Sequence, residues 1–86
     1  MNYPAHEEIA KALLAFIKVN GGSAKPRECY ESLADYFELS HVERTEARKD
    51  GRSGRQWDNL VQWARQRLVN RGSLDGREYG LWKINE

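Results

Sequence analysis

Four polar side chains in the second half of the chain recur at a spacing that places them on one side of a helix. They are Arg55, Asn59, Gln62 and Gln66. Residues three or four positions apart lie on the same helix face. Arginine can pair with guanine, and asparagine or glutamine with adenine, through two hydrogen bonds each. The same residues also suit an ordinary solvated surface. The pattern therefore leaves two interpretations, contact with nucleic-acid bases or a solvent-exposed face.

Further candidates for nucleic-acid contact surround this row. The basic segment before the helix could bind phosphates, helped by the positive end of the helix dipole, or it could be a soluble and mobile loop. Arg77, in a predicted turn, could reach the nucleic-acid backbone or remain solvated. The predicted DNA-contacting residues are Arg44, Arg48, Lys49, Arg52, Ser53, Arg55, Gln56, Asn59, Gln62, Trp63, Gln66 and Arg77.

Trp63 lies beside the apolar stripe of the same helix and is ambiguous. Tryptophan is highly buried on average, so we expect Trp63 first to complete the core. If it is instead exposed beside Asn59, it could stack on an extruded or methylated base. The burial of this one side chain separates the two interpretations.

The element that must position these residues is a long helix predicted over 53–71. Its apolar stripe consists of Trp57, Leu60, Val61, Ala64 and Leu68. Ser53 and Gln56 have the spacing of a capping box at its start. Gly72 is typical of the left-handed position that ends a helix.

The rest of the chain predicts a winged helix, a mainly α fold with a small β-hairpin. Helices are expected at about 4–19 and 26–38, and a short extra helix at 41–48 whose capping box is Ser40 and Glu43. Two strands around Leu74 and Trp82–Ile84 would form a C-terminal two-stranded wing. The prediction is one domain, 1–86, with three main helices. The connection before the long helix exceeds that of a tight helix-turn-helix.

Charge is distributed unevenly along the 86 residues. The net charge is +1, but residues 44–71 hold eight basic and three acidic side chains, which favours an anionic partner for that region. The single cysteine, Cys29, is expected in the core and fits a reducing compartment. No secretory signal or membrane-spanning run is recognisable, so we expect a cytoplasmic protein with no membrane partner.

The sequence shows few signs of catalysis. His6 and His41 are far apart, and neither has a metal-ligand partner at useful spacing. The glycines at 51 and 54 lack the spacing and the lysine of a phosphate-binding P-loop. We therefore expect no catalytic residues, no metal and no cofactor in this chain.

Several segments, in order and spacing, resemble the N-terminal domain of Mrr-type restriction proteins. The most specific are Trp63-Ala64-Arg65 in the long helix and the later Gly80-Leu81-Trp82. The other matching segments are 33–40, 43–44, 57–62, 68–74 and 83–84. The resemblance implies a winged-helix DNA-binding domain, which in that family usually precedes a nuclease domain that cuts modified foreign DNA. This chain ends at Glu86, so the resemblance implies no catalysis by the chain itself, although a parent protein could carry a nuclease domain.

The predicted function is binding of double-stranded DNA, with the long helix in the major groove. One alternative is a protein-interaction or dimerisation module that self-associates through exposed aromatics such as Tyr3, Tyr79 or Trp63, since fold does not fix function. The other alternative is a reader of modified, for example methylated, bases.

Overall fold

Helices make up most of the chain between Tyr3 and Asn85, the residues that the computed structural model describes. The helices are α1 (His6–Val19), α2 (Pro26–Tyr36), α3 (His41–Thr45) and α4 (Gln56–Asn70), and the strands are β1 (Ser23–Ala24), β2 (Leu74–Asp75) and β3 (Trp82–Ile84). This arrangement confirms the predicted mainly α, winged-helix-like fold. None of the helices within residues 3–85 combines the length and the apolar character needed to cross a membrane.

Two of the three predicted helix-end signals are correct. The Ser40 hydroxyl accepts the Glu43 amide at 3.2 Å, and the Glu43 carboxylate accepts the Ser40 amide at 2.7 Å, which starts α3. Gly72 has a φ of 81° immediately after the C-cap of α4. The other three helices are shorter than predicted, since α1 begins at His6, α2 ends at Tyr36 and α3 ends at Thr45.

The predicted start of α4 at Ser53 is wrong. Gln56 is its first residue, Arg55 is the N-cap, and no side chain caps this end. The Gln56 amide instead donates to the Glu46 carbonyl at 2.8 Å, and Arg55 forms an isolated antiparallel bridge with Ala47. Tertiary pairing of the backbone thus replaces the local capping box, and it keeps residues 53–55 out of the helix.

The sheet has three strands in the order β1-β3-β2, all antiparallel. Ala24 pairs with Trp82 and Leu74 pairs with Ile84. The prediction of a two-stranded wing is therefore incomplete, because β1 pairs with β3 as a third strand. A two-residue strand carries no periodic signal, so only its pairing with β3 identifies it.

The core fixes α4 in the domain. The predicted stripe on α4 is buried except for Leu60, which is half-buried, and it packs with the α1 residues Ile9, Leu13 and Ile17. Trp57 is 1% exposed, and its indole nitrogen donates to the Tyr30 carbonyl at 2.9 Å. Cys29 is buried, as predicted, and burial raises the pKa of its thiol to about 12.

An ion pair ties the first turn of α1 to the end of α4. Arg71 donates to both carboxylate oxygens of Glu7, at 2.6 and 2.8 Å, and Arg67 lies 3.5 Å from the same group. Hydrogen bonding by Arg71 lowers the pKa of Glu7 from 4.5 to about 2. The folded state therefore holds a charged Glu7 over a pH range in which the unfolded chain protonates it.

The variant Glu7→Gln is expected to lower the thermal midpoint near neutral pH and to have no effect near pH 2. Because the folded-state pKa is depressed, the stabilisation is fully present above about pH 4.5 and is lost as the pH falls toward about 2. Melting curves of both proteins across this range measure the difference. Glu8→Gln removes the same charge but no ion pair between described residues, so its effect should be smaller. A Glu7→Gln difference that does not change with pH would contradict the assignment.

Candidate nucleic-acid interface

The face of α4 opposite the core carries the predicted row. Arg55, at the N-cap, and Gln62 and Gln66 are exposed, and Asn59 is half-buried. The buried stripe faces α1 and α2, so this row lies on the opposite, outer face of α4. The helix thus presents hydrogen-bonding side chains along about three turns, at an average rise of ~1.5 Å per residue.

The first expectation for Trp63, a place in the core, is wrong. Its side chain is 59% exposed. Trp63 follows Asn59 by four residues and precedes Gln66 by three, so the helical period places it on the outer face, next to the polar row. The signal was present in the spacing, which separates Trp63 by more than 90° from the centre of the buried stripe at ~100° per residue.

Two hydrogen bonds orient the amides of the outer face. Gln62 donates to the Tyr30 hydroxyl at 2.8 Å, and Gln66 donates to the Asn70 side-chain oxygen at 3.0 Å. Tyr30 is absent from the residues predicted from the sequence, because its contact with Gln62 joins α2 to α4 and leaves no local pattern in the chain. Its half-buried ring also packs edge-on against Trp82, so its hydroxyl is held at the border of the outer face.

The segment between α3 and α4 forms a closed loop. The Arg48 amide donates to the Gly54 carbonyl at 3.2 Å, which adds to the Ala47–Arg55 bridge. Lys49, Arg52 and Ser53 are exposed in this loop, beside the first turn of α4. The structure therefore brings this part of the predicted basic segment next to Arg55.

An aspartate neutralises part of the loop charge. Arg48 donates to Asp50 at 2.6 Å, and the Arg52 amide donates to the other oxygen of Asp50 at 3.1 Å. Hydrogen bonding by the Arg48 side chain, and to a lesser extent by the Arg52 amide, lowers the pKa of Asp50. Its carboxylate is charged at neutral pH. Lys49 lies 3.9 Å from Glu46, at the limit of an ion pair.

Arg44 is bound within the domain. Its guanidinium donates to the Leu39 carbonyl at 2.9 Å, to the Ala34 carbonyl at 3.3 Å and to Asp35 at 2.6 Å. These acceptors lie at the end of α2 and in the turn after it. Arg44 therefore joins α3 to α2, and a phosphate contact by this residue would compete with three internal bonds.

Arg77, in the turn of the β2–β3 hairpin, is also paired. Its guanidinium donates to both oxygens of Asp75, at 2.6 to 3.0 Å, and its amide donates to Asp75 at 2.9 Å. Hydrogen bonding by the Arg77 side chain, more than by its amide, lowers the pKa of Asp75 to about 2. The pair is thus fully charged at neutral pH.

Tyr3 is not available as the exposed contact considered above. It is half-buried, and its ring stacks on Trp57 with the ring centroids 6.0 Å apart. Its hydroxyl donates to the Glu43 carbonyl at 2.9 Å and to Glu46 at 3.2 Å. Trp63 and Tyr79, the other two aromatics considered, are exposed.

A comparison with protein families matches residues 6–86 to the Mrr N-terminal domain. The chain belongs to this family. The match covers nearly the whole chain and agrees with the resemblance carried by the α4 and β3 segments. The family match associates the domain with Mrr-type restriction systems. Comparisons with curated proteins and with solved structures give no significant match.

Besides Arg44, which is bound within the domain, the arginines predicted to contact DNA divide into two groups in this Mrr N-terminal domain. Arg48 and Arg77 lie against aspartates of their own loops, whereas Arg52 and Arg55 have no acidic partner within 4 Å among residues 3–85. Arg52 and Arg55 both lie at the start of α4. The positive charge of these two arginines therefore adjoins the polar row of the outer face.

Proposed function

We propose that this domain binds double-stranded DNA with the outer face of α4 in the major groove. The observation that carries the proposal is the separation of faces on α4, where the apolar stripe is buried while Arg55, Gln62 and Gln66 face solvent. A single helix fits the major groove, and N-terminal residues of a recognition helix normally contact the bases. Arg55 and Asn59 are accordingly the leading base-contacting residues.

The loop before α4 would contact the sugar–phosphate backbone. Lys49 and Arg52 are exposed there, and Ser53 offers a hydroxyl. Contacts of this kind fix the register of a protein on DNA and contribute most of the salt dependence of binding. Arg48 and Arg77 would join only by exchanging an aspartate for a phosphate.

The test is a titration of a fluorescently labelled duplex of about 20 base pairs, followed by anisotropy at several salt concentrations. Affinity is expected to fall steeply with salt, with a logarithmic slope of about −0.9 for each phosphate neutralised. No binding at low salt would refute the proposal. If the chain then showed a mass that rises with its concentration, self-association would be the favoured function instead.

Removal of the aspartates that hold Arg48 and Arg77 is expected to strengthen DNA binding. Asp50→Asn and Asp75→Asn each remove one negative charge near the proposed interface and release Arg48 or Arg77, so affinity should rise about two- to fivefold at low salt. Asparagine keeps an oxygen for the local backbone amide. The same anisotropy titration measures the change.

Glu8→Gln is the matched control for charge. Glu8 lines the groove between α1 and α2, which contains no α4 residue, so its neutralisation should leave the affinity unchanged within about twofold. An equal gain from all three variants would show that net charge alone acts, and would contradict a role for the two aspartate–arginine pairs.

Reading of a modified base is the second candidate function, and the exposure of Trp63 favours it. An exposed indole beside Asn59 offers a flat apolar surface for a methylated or extruded base. Under this hypothesis Trp63→Ala removes any preference for a methylated duplex over the plain duplex of the same sequence. A wild-type domain that binds both duplexes equally would refute it and leave the major-groove proposal intact.

A further inference from the structure

The turn of the β2–β3 hairpin lies directly against one side of α4. Gly76 approaches Val69 so closely that a Cβ atom at position 76 would lie 2.7 Å from the Val69 Cγ1 atom. Real Cβ atoms essentially never approach other heavy atoms to this distance, so a larger residue at position 76 would force the Val69 side chain or the hairpin to move. Gly76 does not have a positive φ, so the constraint comes from the neighbouring helix and not from its own backbone.

Arg65 makes a second contact between the helix and the hairpin. It is only 8% exposed, the one buried charged side chain found among residues 3–85. Its guanidinium donates to the Glu78 carbonyl at 3.2 Å and lies 5.8 Å from the centre of the Trp82 ring, where a cation–π attraction adds to the contact. Removing a charge from water is costly, and these contacts offset part of that cost, while the buried Arg65 Nε has no hydrogen-bond partner within residues 3–85.

Both contacts lie on the side of α4 that adjoins the outer face. Arg65 follows Gln62 by three residues, and Val69 follows Gln66 by three, which makes each pair neighbours on the helix surface. The hairpin turn therefore lies along the edge of the polar row. Tyr79, one residue after the Glu78 carbonyl that Arg65 holds, is 85% exposed and makes no hydrogen bond within the described chain.

We propose that the hairpin is a fixed arm of the α4 surface and that Tyr79 on it contacts the sugar–phosphate strand bordering the groove that α4 occupies. The proposal rests on the DNA-binding function proposed above. Gly76, Val69 and Arg65 act as positioning residues, since they touch the hairpin or the helix and not the DNA. The arm holds Tyr79 at a set distance from Gln62 and Gln66, so both contacts form without ordering a loose loop on binding.

The experiment uses the close approach of Gly76 and Val69. The variants are Gly76→Ala, Val69→Ala, the double variant with both changes, and Tyr79→Ala. Gly80→Ala is the matched control, because Gly80 lies in the same hairpin and has no positive φ. A Cβ atom added at position 80 would meet no atom of another segment within 4 Å. Each protein is titrated with the labelled duplex at low salt, and its melting midpoint and the amide NMR shifts of residues 76–81 are recorded.

Gly76→Ala and Tyr79→Ala are each expected to weaken duplex binding about fivefold, while Gly80→Ala binds like the wild type. Val69→Ala makes room for the new methyl group, so the double variant should regain the hairpin shifts and bind within about twofold of Val69→Ala alone. Wild-type affinity in Gly76→Ala despite displaced hairpin shifts, or in Tyr79→Ala, would overturn the proposal.

The two proposals fail in different ways. If the wild-type domain does not bind the duplex, the DNA-binding function falls and the contact by Tyr79 falls with it. The fixed arm is then still judged by the midpoints and shifts, in which Gly76→Ala must be impaired and the added Val69→Ala must restore the hairpin. If the wild type binds the duplex and the hairpin variants bind it equally well, the proposed arm is wrong and the DNA-binding function stands.

Discussion

Replacement of Trp57 by alanine is expected to lower the free energy of unfolding by about 3–5 kcal/mol, the usual cost of deleting a large buried aromatic side chain. Trp57 is 1% exposed, stacks on Tyr3 and packs edge-on against Phe37. Its removal also leaves the Tyr30 carbonyl without its indole donor. Domains of this size commonly have stabilities of about 5–15 kcal/mol, so this loss is a large fraction of the total and should lower the urea midpoint markedly.

Trp63→Ala is the matched control, because it deletes the same side chain from the same helix. Trp63 is 59% exposed, so its loss should change the free energy of unfolding by only about 0.5 kcal/mol. Urea denaturation followed by circular dichroism gives both values. Losses of similar size in the two variants would show that Trp63 also supports the core, and would contradict the exposed site on which the modified-base hypothesis depends.

The double variant Arg52→Ala/Arg55→Ala is expected to weaken duplex binding at least about tenfold at low salt and to reduce the salt slope by about 2. The reason is that both guanidinium groups lie at the start of α4 without an acidic partner within 4 Å in residues 3–85, so both are available for phosphate or base contacts. Both side chains are exposed, so the melting midpoint should change little.

A charge-matched control separates local contacts from net charge. Lys11→Ala/Lys18→Ala removes two positive charges from exposed positions of α1, and Lys11 lines the groove between α1 and α2, which contains no α4 residue. Its effect on affinity should be several times smaller than that of the arginine pair, because charges beyond ~10 Å are largely screened at 0.1 M salt. Equal losses in the two double variants would place the interface elsewhere on the domain.

The sequence by itself was enough to determine the helices and the face by which α4 joins the core. Trp57, Val61, Ala64 and Leu68 recur with the helical period, and all four are buried. The Ser40–Glu43 capping box and Gly72 were also recognisable, because helix-end signals act within a few residues along the chain. Periodicity and caps are local features, so they can be recognised without knowledge of the tertiary structure.

The candidate site was only partly predictable. The outer row at Arg55, Gln62 and Gln66 follows from the same period that identifies the core. Whether an arginine is available to an anion depends on its neighbours in space. Arg44 shows this, because its partners Asp35 and Ala34 lie near the end of α2, before the turn that leads to α3. A residue list from the sequence therefore contained arginines that are bound within the domain and missed Tyr30.

Only the tertiary structure decided where α4 begins, what Arg65 does and that the sheet has a third strand. The Glu46 carbonyl starts α4 at Gln56 and displaces the capping box predicted at Ser53. Arg65 is buried because the hairpin folds over it, although it lies in a helix rich in exposed polar residues. Each outcome is set by contacts between segments distant in sequence, whose strength depends on burial and geometry and leaves no local pattern in the chain.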